Sequence, residues 1–279
     1  MSGLRRKLIK YVAHNEGVWE KFNQYVYPII NEIRSEKFSK ERTQFNDWIS
    51  QQVVKHFPDL SVKRGPFRGM VYPDHCAFGS ALFPKLLGTY EKELHEVFSH
   101  QNLEQYKMIL DVGCAEGYYA VGIARSHPEA KVYAFDIDDA AIAFCQKMAA
   151  LNRVENIVLK RECTEEELLA FSDKKKGLII VDCEGYEKIL LTKRVAEGLQ
   201  MHDFLIEVHD IIDVEISGIL KERFSQTHQL TIFTSVPESK KVYLYDQPEL
   251  SGYSLDERKK LLTEHRREVM EWFYFKTKN

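Results

Sequence analysis

Short apolar runs alternate with segments of helical periodicity along most of the chain after residue 107. Six runs have the length and composition of buried strands, at 108–112, 131–135, 156–160, 178–182, 204–209 and 230–235. The segments between them repeat their apolar residues every three or four positions, at 118–126, 139–152, 164–171, 187–197 and 216–224. Because strands that alternate with helices form sheets covered on both sides, this pattern predicts an α/β fold with a mostly parallel sheet and helices on both faces.

The two ends of the chain differ from this central pattern. Residues 4–57 combine three- and four-residue apolar steps with many charges, which predicts a helical segment. Residues 255–267 are predicted as a helix, and the aromatic run 272–275 as a final strand that pairs antiparallel. We therefore expect an N-terminal helical cap over residues 1–95 and an α/β domain over residues 96–279.

Composition narrows the classes of function. The 279 residues are 44% hydrophobic and 29% charged, with a net charge of −3, so the chain lacks the basic field that nucleic acid attracts. The 5 cysteines form no C-x-x-C pair, so we expect neither a disulfide framework nor a zinc site. We find no secretory signal and no stretch approaching the ~20 apolar residues of a membrane span. These features predict a cytoplasmic protein that binds neither membrane nor nucleic acid.

A glycine-bearing turn follows the first strand and precedes a helix, in the segment ILDVGCAEGY at residues 109–118. Gly113 allows a tight turn and a close approach of a ligand to the backbone. Ligands of open α/β sheets bind in the crevice at the carboxyl ends of the strands, where this turn lies. Asp136 ends the next strand, and an acid at that position typically accepts hydrogen bonds from ribose hydroxyls. The sequence therefore predicts a nucleoside cofactor.

The residues of the turn distinguish between nucleoside cofactors. A dinucleotide site has the pattern G-x-G-x-x-G, but Ala115 and Tyr118 occupy its second and third glycine positions. Asp111 and Glu116 would also place negative charge beside a pyrophosphate. S-adenosylmethionine has no phosphate and carries a sulfonium and an ammonium, which suit these acids. We therefore expect S-adenosylmethionine as the cofactor, with an NAD-dependent oxidoreductase as the enzyme alternative.

Two pairs of polar residues lie at the carboxyl ends of the fourth and fifth strands. Asp182 and Glu184 are two positions apart, as are Glu207 and His209, so each pair points one way from an extended chain. Since these strands are expected to be neighbours, both pairs should lie beside the methyl donor and form the acceptor site. His209 is a candidate base for a hydroxyl acceptor, with Asp182 or Glu207 as an alternative base or as its orienting partner. Asp182, Glu184 and His209 are also a candidate site for Mg²⁺ or Mn²⁺.

Three segments resemble motifs of a known family. DVGCAEGYY at 111–119 resembles the first motif of class I methyltransferases. VDCEGYE at 181–187 and FLIEVH at 204–209 resemble the D-x-E-G-x-E and E-x-H segments of FkbM-type methyltransferases. The resemblance covers roughly residues 80–235 and implies a Rossmann-like, seven-stranded sheet and the O-methylation of small molecules or sugars. It also implies a contact between the adenine ring and Cys163, at the end of the third strand.

The expected site residues form two groups. The cofactor group precedes the first strand or lies near the ends of the first four: Glu91, Asp111, Gly113, Cys114, Glu116, Gly117, Tyr118, Asp136, Ile137, Cys163 and Asp182. The catalytic group follows the fourth and fifth strands: His209, Asp182, Glu207 and Glu184. Glu91 would reach the ammonium of the donor, and the acceptor is expected to be a small molecule or a glycan.

Residues outside these two groups suggest how an acceptor or a partner would bind. Arg64, Arg68, Arg266 and Arg267 are candidates for recognising an anionic or sugar substrate, and we expect the loop 65–69 to close over the acceptor with the helical cap. The apolar residues of the N-terminal helices are expected in the core or in a homodimer contact. The non-enzyme alternative is a methyltransferase-like scaffold that binds a protein partner through these helices.

Overall fold

The chain separates into two compact units, Met1–Gln52 and Val53–Asn279. The structure, a computed structural model, describes residues 2–78, 80–266 and 268–278. The first unit is helical, and its residues 3–51 are all half-buried or exposed. The second unit contains the sheet and the cavity described below. The domain boundary expected near residue 95 remains a prediction. The boundary between the two compact units lies after Gln52.

A seven-stranded sheet forms the centre of the second unit. Its strands are β1 (Met108–Val112), β2 (Lys131–Phe135), β3 (Ile157–Lys160), β4 (Gly177–Val181), β5 (Asp203–Val208), β6 (His228–Thr234) and β7 (Glu271–Thr277). Their order across the sheet is β3-β2-β1-β4-β5-β7-β6. The first five strands are parallel, and β7 lies antiparallel between β5 and β6. The predicted Rossmann-like, mostly parallel sheet of seven strands is confirmed.

Helices precede the sheet and connect its strands. The α-helices of the described residues are α1 (Ser2–Ala13), α2 (Glu16–Lys21), α3 (Tyr27–His56), α4 (Leu82–Leu87), α5 (His100–Leu103), α6 (Tyr118–Ser126), α7 (Asp139–Leu151), α8 (Glu165–Leu169), α9 (Glu187–Leu190), α10 (Lys193–Gly198), α11 (Ile216–Phe224), α12 (Glu238–Leu244) and α13 (Leu255–Leu262). A π-helix at Phe22–Val26 joins α2 to α3, and 3-10 helices lie at Lys92–Leu94 and Pro248–Leu250. Within the part of the chain that the structure describes, no helix has the length and apolar character needed to cross a membrane.

Two predicted helices end earlier than their periodicity indicated. The segment 187–197 forms α9 and α10 because Leu191 leaves the helical conformation and the Thr192 side chain caps a new helix. α13 ends at Leu262 because Thr263 adopts an extended conformation. Periodicity does not detect such breaks when the apolar spacing continues across them.

The carboxyl ends of the parallel strands meet at one edge of the sheet. Val112 of β1 pairs with Phe135 of β2 and with Val181 of β4, and Val181 pairs with Ile206 of β5. All four side chains are buried, as expected for strands covered on both faces. The loops that follow these strands are therefore brought together above a rigid, apolar base.

Candidate active site

A cavity of about 1100 Å³ opens at the carboxyl edge of the sheet. Of the predicted cofactor group, the residues that line it are Glu91, Gly113, Cys114, Glu116, Tyr118, Asp136, Ile137, Cys163 and Asp182. The remaining predicted catalytic residues, Glu184, Glu207 and His209, line the same cavity. Asp111 and Gly117 belong to the same turn but do not line the cavity. The structure thus brings the two predicted groups to one place.

Two glycines fix the turn between β1 and α6. Gly113 has a φ of 85°, and a Cβ atom there would overlap the backbone carbonyl of Asp182. Gly117 has a φ of 94°, and its Cβ would lie 2.5 Å from the Sγ of Cys145 in α7. Both positions therefore require glycine. The close approach at Gly113 is made by the loop after β4, so this turn touches the catalytic side of the cavity directly.

Asp136 holds neighbouring backbone through both of its carboxylate oxygens. Oδ2 accepts a hydrogen bond from the backbone N of Ala115 at 2.8 Å, and Oδ1 accepts one from the backbone N of Asp138 at 2.8 Å. Ile137, between these two acids, is 77% exposed. Each carboxylate oxygen accepts more than one hydrogen bond, so Asp136 can hold the turn and still bind a ribose hydroxyl. Its ribose contact remains a prediction.

Glu116 is engaged by protein groups. Its buried carboxylate lies 2.5 Å from the Nζ of Lys85 and accepts hydrogen bonds from the Tyr72 hydroxyl and the Phe78 backbone N, each at 3.2 Å. Because Lys85 is buried too, the two side chains form a desolvated ion pair. The charge of Glu116 is therefore already balanced, and a contact between Glu116 and the cofactor remains a prediction.

Asp111 carries a buried oxygen whose hydrogen-bonding capacity is unused. The residue is 2% exposed, and its Oδ2 has no hydrogen-bond partner among the described residues. Burial, together with the nearby carboxylates of Asp136 and Glu116, raises the pKa of Asp111 to about 7. An unpartnered buried polar atom costs roughly 1–3 kcal/mol. Because Asp111 does not line the cavity, its contact with the cofactor remains a prediction.

Arg266 connects the cofactor group to the catalytic group. Its guanidinium forms ion pairs with Glu91 and Glu207 and lies 3.3 Å from the carboxylate of Glu264. All four side chains are at least nine-tenths buried, and the Tyr119 hydroxyl donates to the Glu91 carboxylate. Burial raises the pKa of Glu91 to about 8, although the Arg266 charge opposes this rise. Sequence reasoning considered Arg266 only for substrate recognition and missed Glu264.

The four predicted catalytic side chains converge on one point, and we refer to Asp182, Glu184, Glu207 and His209 as the acceptor cluster. The Nε2 of His209 lies 3.6 Å from an oxygen of Asp182 and 3.6 Å from an oxygen of Glu184. It lies 3.7 Å from Oε2 of Glu207. These separations exceed hydrogen-bond distances, whereas the Nδ1 of His209 donates to Glu187 at 2.8 Å. His209 and Glu207 are buried, while the Glu184 side chain is 79% exposed.

Burial and charge shift the protonation of the acceptor cluster. Burial lowers the pKa of His209, but the hydrogen bond to Glu187 and the surrounding carboxylates outweigh burial and raise the pKa overall. The Asp182 side chain is 31% exposed, yet its Oδ1 is buried without a hydrogen-bond partner among the described residues. Burial, together with the Glu207 carboxylate, raises the pKa of Asp182 well above its ordinary value. The acceptor cluster can therefore take up a proton or hold a positive charge.

Glu187 is a functional candidate that sequence reasoning missed. Its Oε1 accepts a hydrogen bond from the backbone N of Gly185 at 3.2 Å as well as the one from His209. Glu184 and Gly185 have φ values of 51° and 96°, so the chain turns sharply around this carboxylate. Burial favours a higher pKa for Glu187, but the bond from His209 outweighs burial and lowers it. The last glutamate of the D-x-E-G-x-E pattern was the sequence signal for this role.

Two cysteines contribute buried thiols to the cavity wall. Cys163 is 8% exposed, and burial raises its pKa to about 12. A hydrogen bond with Cys145 and burial also raise the pKa of Cys114 well above its usual value. Both side chains therefore remain neutral thiols at physiological pH, which suits contact with an uncharged ring better than nucleophilic chemistry.

Of the other predicted substrate contacts, Arg64 and Arg68 do not line the cavity. Arg64 pairs with Glu249 at 3.0 Å, Arg68 is exposed, and Arg267 lies outside the described residues. The loop 65–69 packs against α6 and does not line the cavity. Our expectation that this loop closes over the acceptor remains a prediction; the Phe67 ring is directed into the core beside α6.

Comparison with known proteins gives a family match over half of the chain. Residues 103–243 match the family described as "Methyltransferase domain". A release factor glutamine methyltransferase of Flavobacterium psychrophilum is 36% identical over 108 residues, which are 39% of this chain and 35% of that protein. The release factor glutamine methyltransferase of Streptococcus pneumoniae is 26% identical over 147 residues, 52% of this chain and 49% of that protein. The chain thus spans half or less of the length of these curated relatives.

Solved structures of methyltransferases are also similar to this chain. The ribosomal protein L11 methylase of Lactobacillus delbrueckii subsp. bulgaricus aligns with a TM-score of 0.40 and 14% identity, over 75% of this chain and 86% of that chain. A putative O-methyltransferase of Klebsiella pneumoniae aligns with a TM-score of 0.42 and 12% identity, over 66% of this chain and 78% of that chain.

Proposed function

Since this chain belongs to the methyltransferase domain family as a class I enzyme that uses S-adenosylmethionine, we propose that it methylates a hydroxyl group of a small molecule or glycan. One observation carries this proposal: the acceptor cluster lines the same cavity as the turn after β1. The family match argues against the alternative of an NAD-dependent oxidoreductase. The alternative of a non-catalytic scaffold predicts that no methyl group is transferred.

The donor half of the cavity fits S-adenosylmethionine in its chemistry. Acidic residues that line the donor half, Glu91 and Asp136, suit a cofactor that carries positive charge. Asp136 would accept from the ribose, Ile137 and Cys163 would contact the adenine, and Glu91 would face the ammonium. When bound, S-adenosylmethionine supplies an electrophilic methyl group. The residues of the chain have the remaining tasks, which are to align the acceptor and to exclude water.

The acceptor half of the cavity supports the narrower FkbM-like assignment. The two motifs that suggested it, D-x-E-G-x-E and E-x-H, are joined in space by the hydrogen bond between Glu187 and His209. That bond fixes the imidazole so that its Nε2 faces Asp182 and Glu207. We propose that the two motifs act together, with Glu187 as a positioning residue that orients His209.

A hydroxyl acceptor must lose its proton, and the acceptor cluster supplies groups that can take it. A hydroxyl placed between Asp182 and Glu207 would have carboxylate oxygens on two sides. Since Glu207 is already paired with Arg266, the more exposed members of the cluster are better placed to pass the proton to solvent. Because the acceptor cluster can take up a proton, it suits a hydroxyl group better than a methyl acceptor that is already nucleophilic.

A second candidate acceptor is a protein side chain. The two curated relatives are named for glutamine methylation of a release factor, and one of them is 36% identical to this chain over 108 residues. However, residues 182–185 are DCEG, so the N-P-P-Y motif of amino-group methylation is absent at the end of β4. We therefore retain glutamine of a protein as the alternative rather than as the main proposal.

Calorimetric titration with S-adenosylmethionine tests the donor half. We expect Asp136→Ala to weaken binding about 10-fold or more, because a carboxylate acceptor is lost. Asp173→Asn, at an exposed turn, is the matched control and should leave affinity unchanged. Equal affinity of Asp136→Ala and the unchanged protein would contradict the donor assignment.

Incubation with isotopically labelled S-adenosylmethionine and a fractionated cell extract tests the acceptor half. We expect label in a small-molecule or glycan fraction, with an O-methyl group identified by mass spectrometry. Label that remains on protein and maps to glutamine would replace our proposal by the alternative. Absence of label from every fraction, with donor binding intact, would support the scaffold.

A further inference from the structure

The geometry of the acceptor cluster points to a binding site for one divalent cation, held by Asp182, Glu207 and His209. The site differs from the sequence-based candidate, which had Glu184 in place of Glu207. One ligand atom from each of the three residues can be chosen so that all lie within 4.8 Å of one another. An imidazole with two carboxylates is a donor set that suits Mn²⁺.

The distances from His209 Nε2 to the two carboxylates fit atoms that share an ion better than they fit hydrogen bonds. The Nε2 of His209 is 3.6 Å from Asp182 Oδ1 and 3.7 Å from Glu207 Oε2. Bonds of about 2.0–2.2 Å to a shared ion place neighbouring ligand atoms about 3.0–3.6 Å apart. Hydrogen bonds would be shorter than the observed separations. The Nε2 of His209 therefore lies from each carboxylate at about the spacing of two ligand atoms that share an ion, outside hydrogen-bond range.

The orientation of His209 is an independent sign of a ligand. The side chain is 5% exposed, and its Nδ1 donates to the Glu187 carboxylate, so the lone pair of Nε2 is directed into the cluster. Histidines that bind metals usually donate their second nitrogen to a carboxylate in this manner. The buried Oδ1 of Asp182 likewise has no hydrogen-bond partner among the described residues. The buried Oδ1 of Asp182 and the Nε2 of His209 therefore face each other at 3.6 Å, too far apart for a hydrogen bond.

Charge also favours a cation at this point. Arg266 pairs with Oε1 of Glu207, which leaves Oε2 directed toward His209. Asp182 contributes a second carboxylate, whereas the charge of Glu184, whose side chain is 79% exposed, is screened by water. Arg266 is shared with Glu91 and Glu264, and Lys241 pairs with Glu264 at 2.7 Å, so neither cation pairs with Asp182. A divalent ion would supply the missing positive charge.

The ion would explain how the acceptor loses its proton, an inference that rests on the proposed function. A hydroxyl oxygen bound to the ion has a lowered pKa. Its O–H bond breaks, the proton passes to the exposed Glu184 carboxylate and on to water, and the oxygen forms its bond to the methyl carbon as the carbon–sulfur bond of the donor breaks. Glu184 is therefore assigned proton transfer, not ion binding.

Titration of the chelator-treated full-length protein with Mn²⁺ alone tests the site. Loss of the electron paramagnetic resonance signal of free Mn²⁺ measures binding, and we expect one ion per chain. Asp182→Asn and His209→Gln should each weaken binding about 10-fold or more. Glu184→Gln is the control within the cluster, and Glu215→Gln, at an exposed carboxylate outside the cavity, is the control beyond it. Both controls should bind Mn²⁺ as the unchanged protein does.

Thermal unfolding with and without Mn²⁺ separates loss of the site from loss of the fold. The ion should raise the unfolding temperature of the unchanged protein and of both controls, and should not raise that of Asp182→Asn. Binding that is absent, or equal in all variants, would overturn the cation site. Methyl transfer to a hydroxyl after complete chelation, without Mn²⁺ binding, would overturn the site and leave the proposed function standing. Mn²⁺ binding without methyl transfer to a hydroxyl would support the cation site and overturn the proposed function.

Discussion

Gly113 shows how a single residue joins the two halves of the site. Its left-handed backbone and the carbonyl of Asp182 occupy adjoining space, so the donor turn and the acceptor cluster share a boundary with no room for a methyl group. The sequence predicted a glycine that allows a tight turn and the close approach of a ligand, whereas the group found against it is the carbonyl of Asp182. It could not identify Asp182 as the neighbour, because that contact depends on the pairing of β1 with β4.

Substitution Gly113→Ala should destabilise the protein by about 3 kcal/mol or more, since left-handed strain adds to steric overlap. Denaturant unfolding followed by circular dichroism measures this change. Gly252→Ala is the matched control, because Gly252 has a φ of 82° and nothing within 4 Å of its Cβ position. Gly252→Ala should lower the free energy of unfolding by only about 1 kcal/mol. Similar losses in both variants would show that overlap with Asp182 contributes nothing.

The buried ion pair between Lys85 and Glu116 leads to a second prediction for single residues. Lys85→Met should cost about 3 kcal/mol of unfolding free energy, because it leaves the Glu116 carboxylate buried and uncompensated. The double variant Lys85→Met with Glu116→Gln should recover part of this loss.

Denaturant unfolding of both variants and of an exposed control measures the effect. Lys193→Met removes an exposed pair with Glu197 and should change stability by less than about 0.5 kcal/mol. A Lys85→Met variant as stable as this control would contradict the prediction. Sequence reasoning could name Glu116 but not its partner, because the two residues are brought together only by tertiary packing.

At the scale of elements, the strands were more predictable than the helices. The strands of the parallel core are covered on both faces, so each is a continuous apolar run bounded by polar residues. β1 and β2 have the predicted bounds. The helix boundaries were predicted less accurately because single residues set them. Thr192 begins α10 inside one predicted helix, and Thr263 ends α13 inside another.

The start of α13 supplies a prediction about an element. Ser254 accepts from the backbone N of Glu257, and the Glu257 side chain accepts from the backbone N of Ser254, which forms a capping box. Ser254→Ala should lower the free energy of unfolding by about 1 kcal/mol, as measured by urea titration. Ser254→Asp keeps an acceptor at this position and should retain most of the stability. Equal loss in both variants would mean that the cap is not the source of the effect.

At the scale of the whole molecule, buried histidines make stability depend on pH. The Nδ1 of His202 accepts a hydrogen bond from the backbone N of Gly177 at 3.0 Å, and its Nε2 donates to the Phe171 carbonyl at 3.1 Å. This arrangement requires a neutral ring, and burial lowers the pKa of His202. Since the unfolded chain binds the proton more readily, the stability due to His202 is present above about pH 6.5 and is lost as the pH falls below it.

The unchanged protein should therefore lose more stability on acidification from about pH 7.5 to about pH 5.5 than His202→Asn does. Urea unfolding of both proteins across this range measures the difference. The raised pKa of Asp111 has the opposite effect on stability, but it is common to both proteins and cancels in the comparison. If the free energies of unfolding of the two proteins changed equally with pH, the role assigned to His202 would be contradicted.

The position of β7 has a consequence for the order in which this protein is completed during synthesis. β5 and β6 leave the ribosome before β7. β5 can pair with β4 on one side, but its other edge stays open and β6 has no partner in the sheet until β7 inserts between them. The same late segment carries Arg266, the counterion of Glu91 and Glu207. A nascent chain that ends before Arg266 and β7 therefore still has an open sheet edge and buried acids without their counterion.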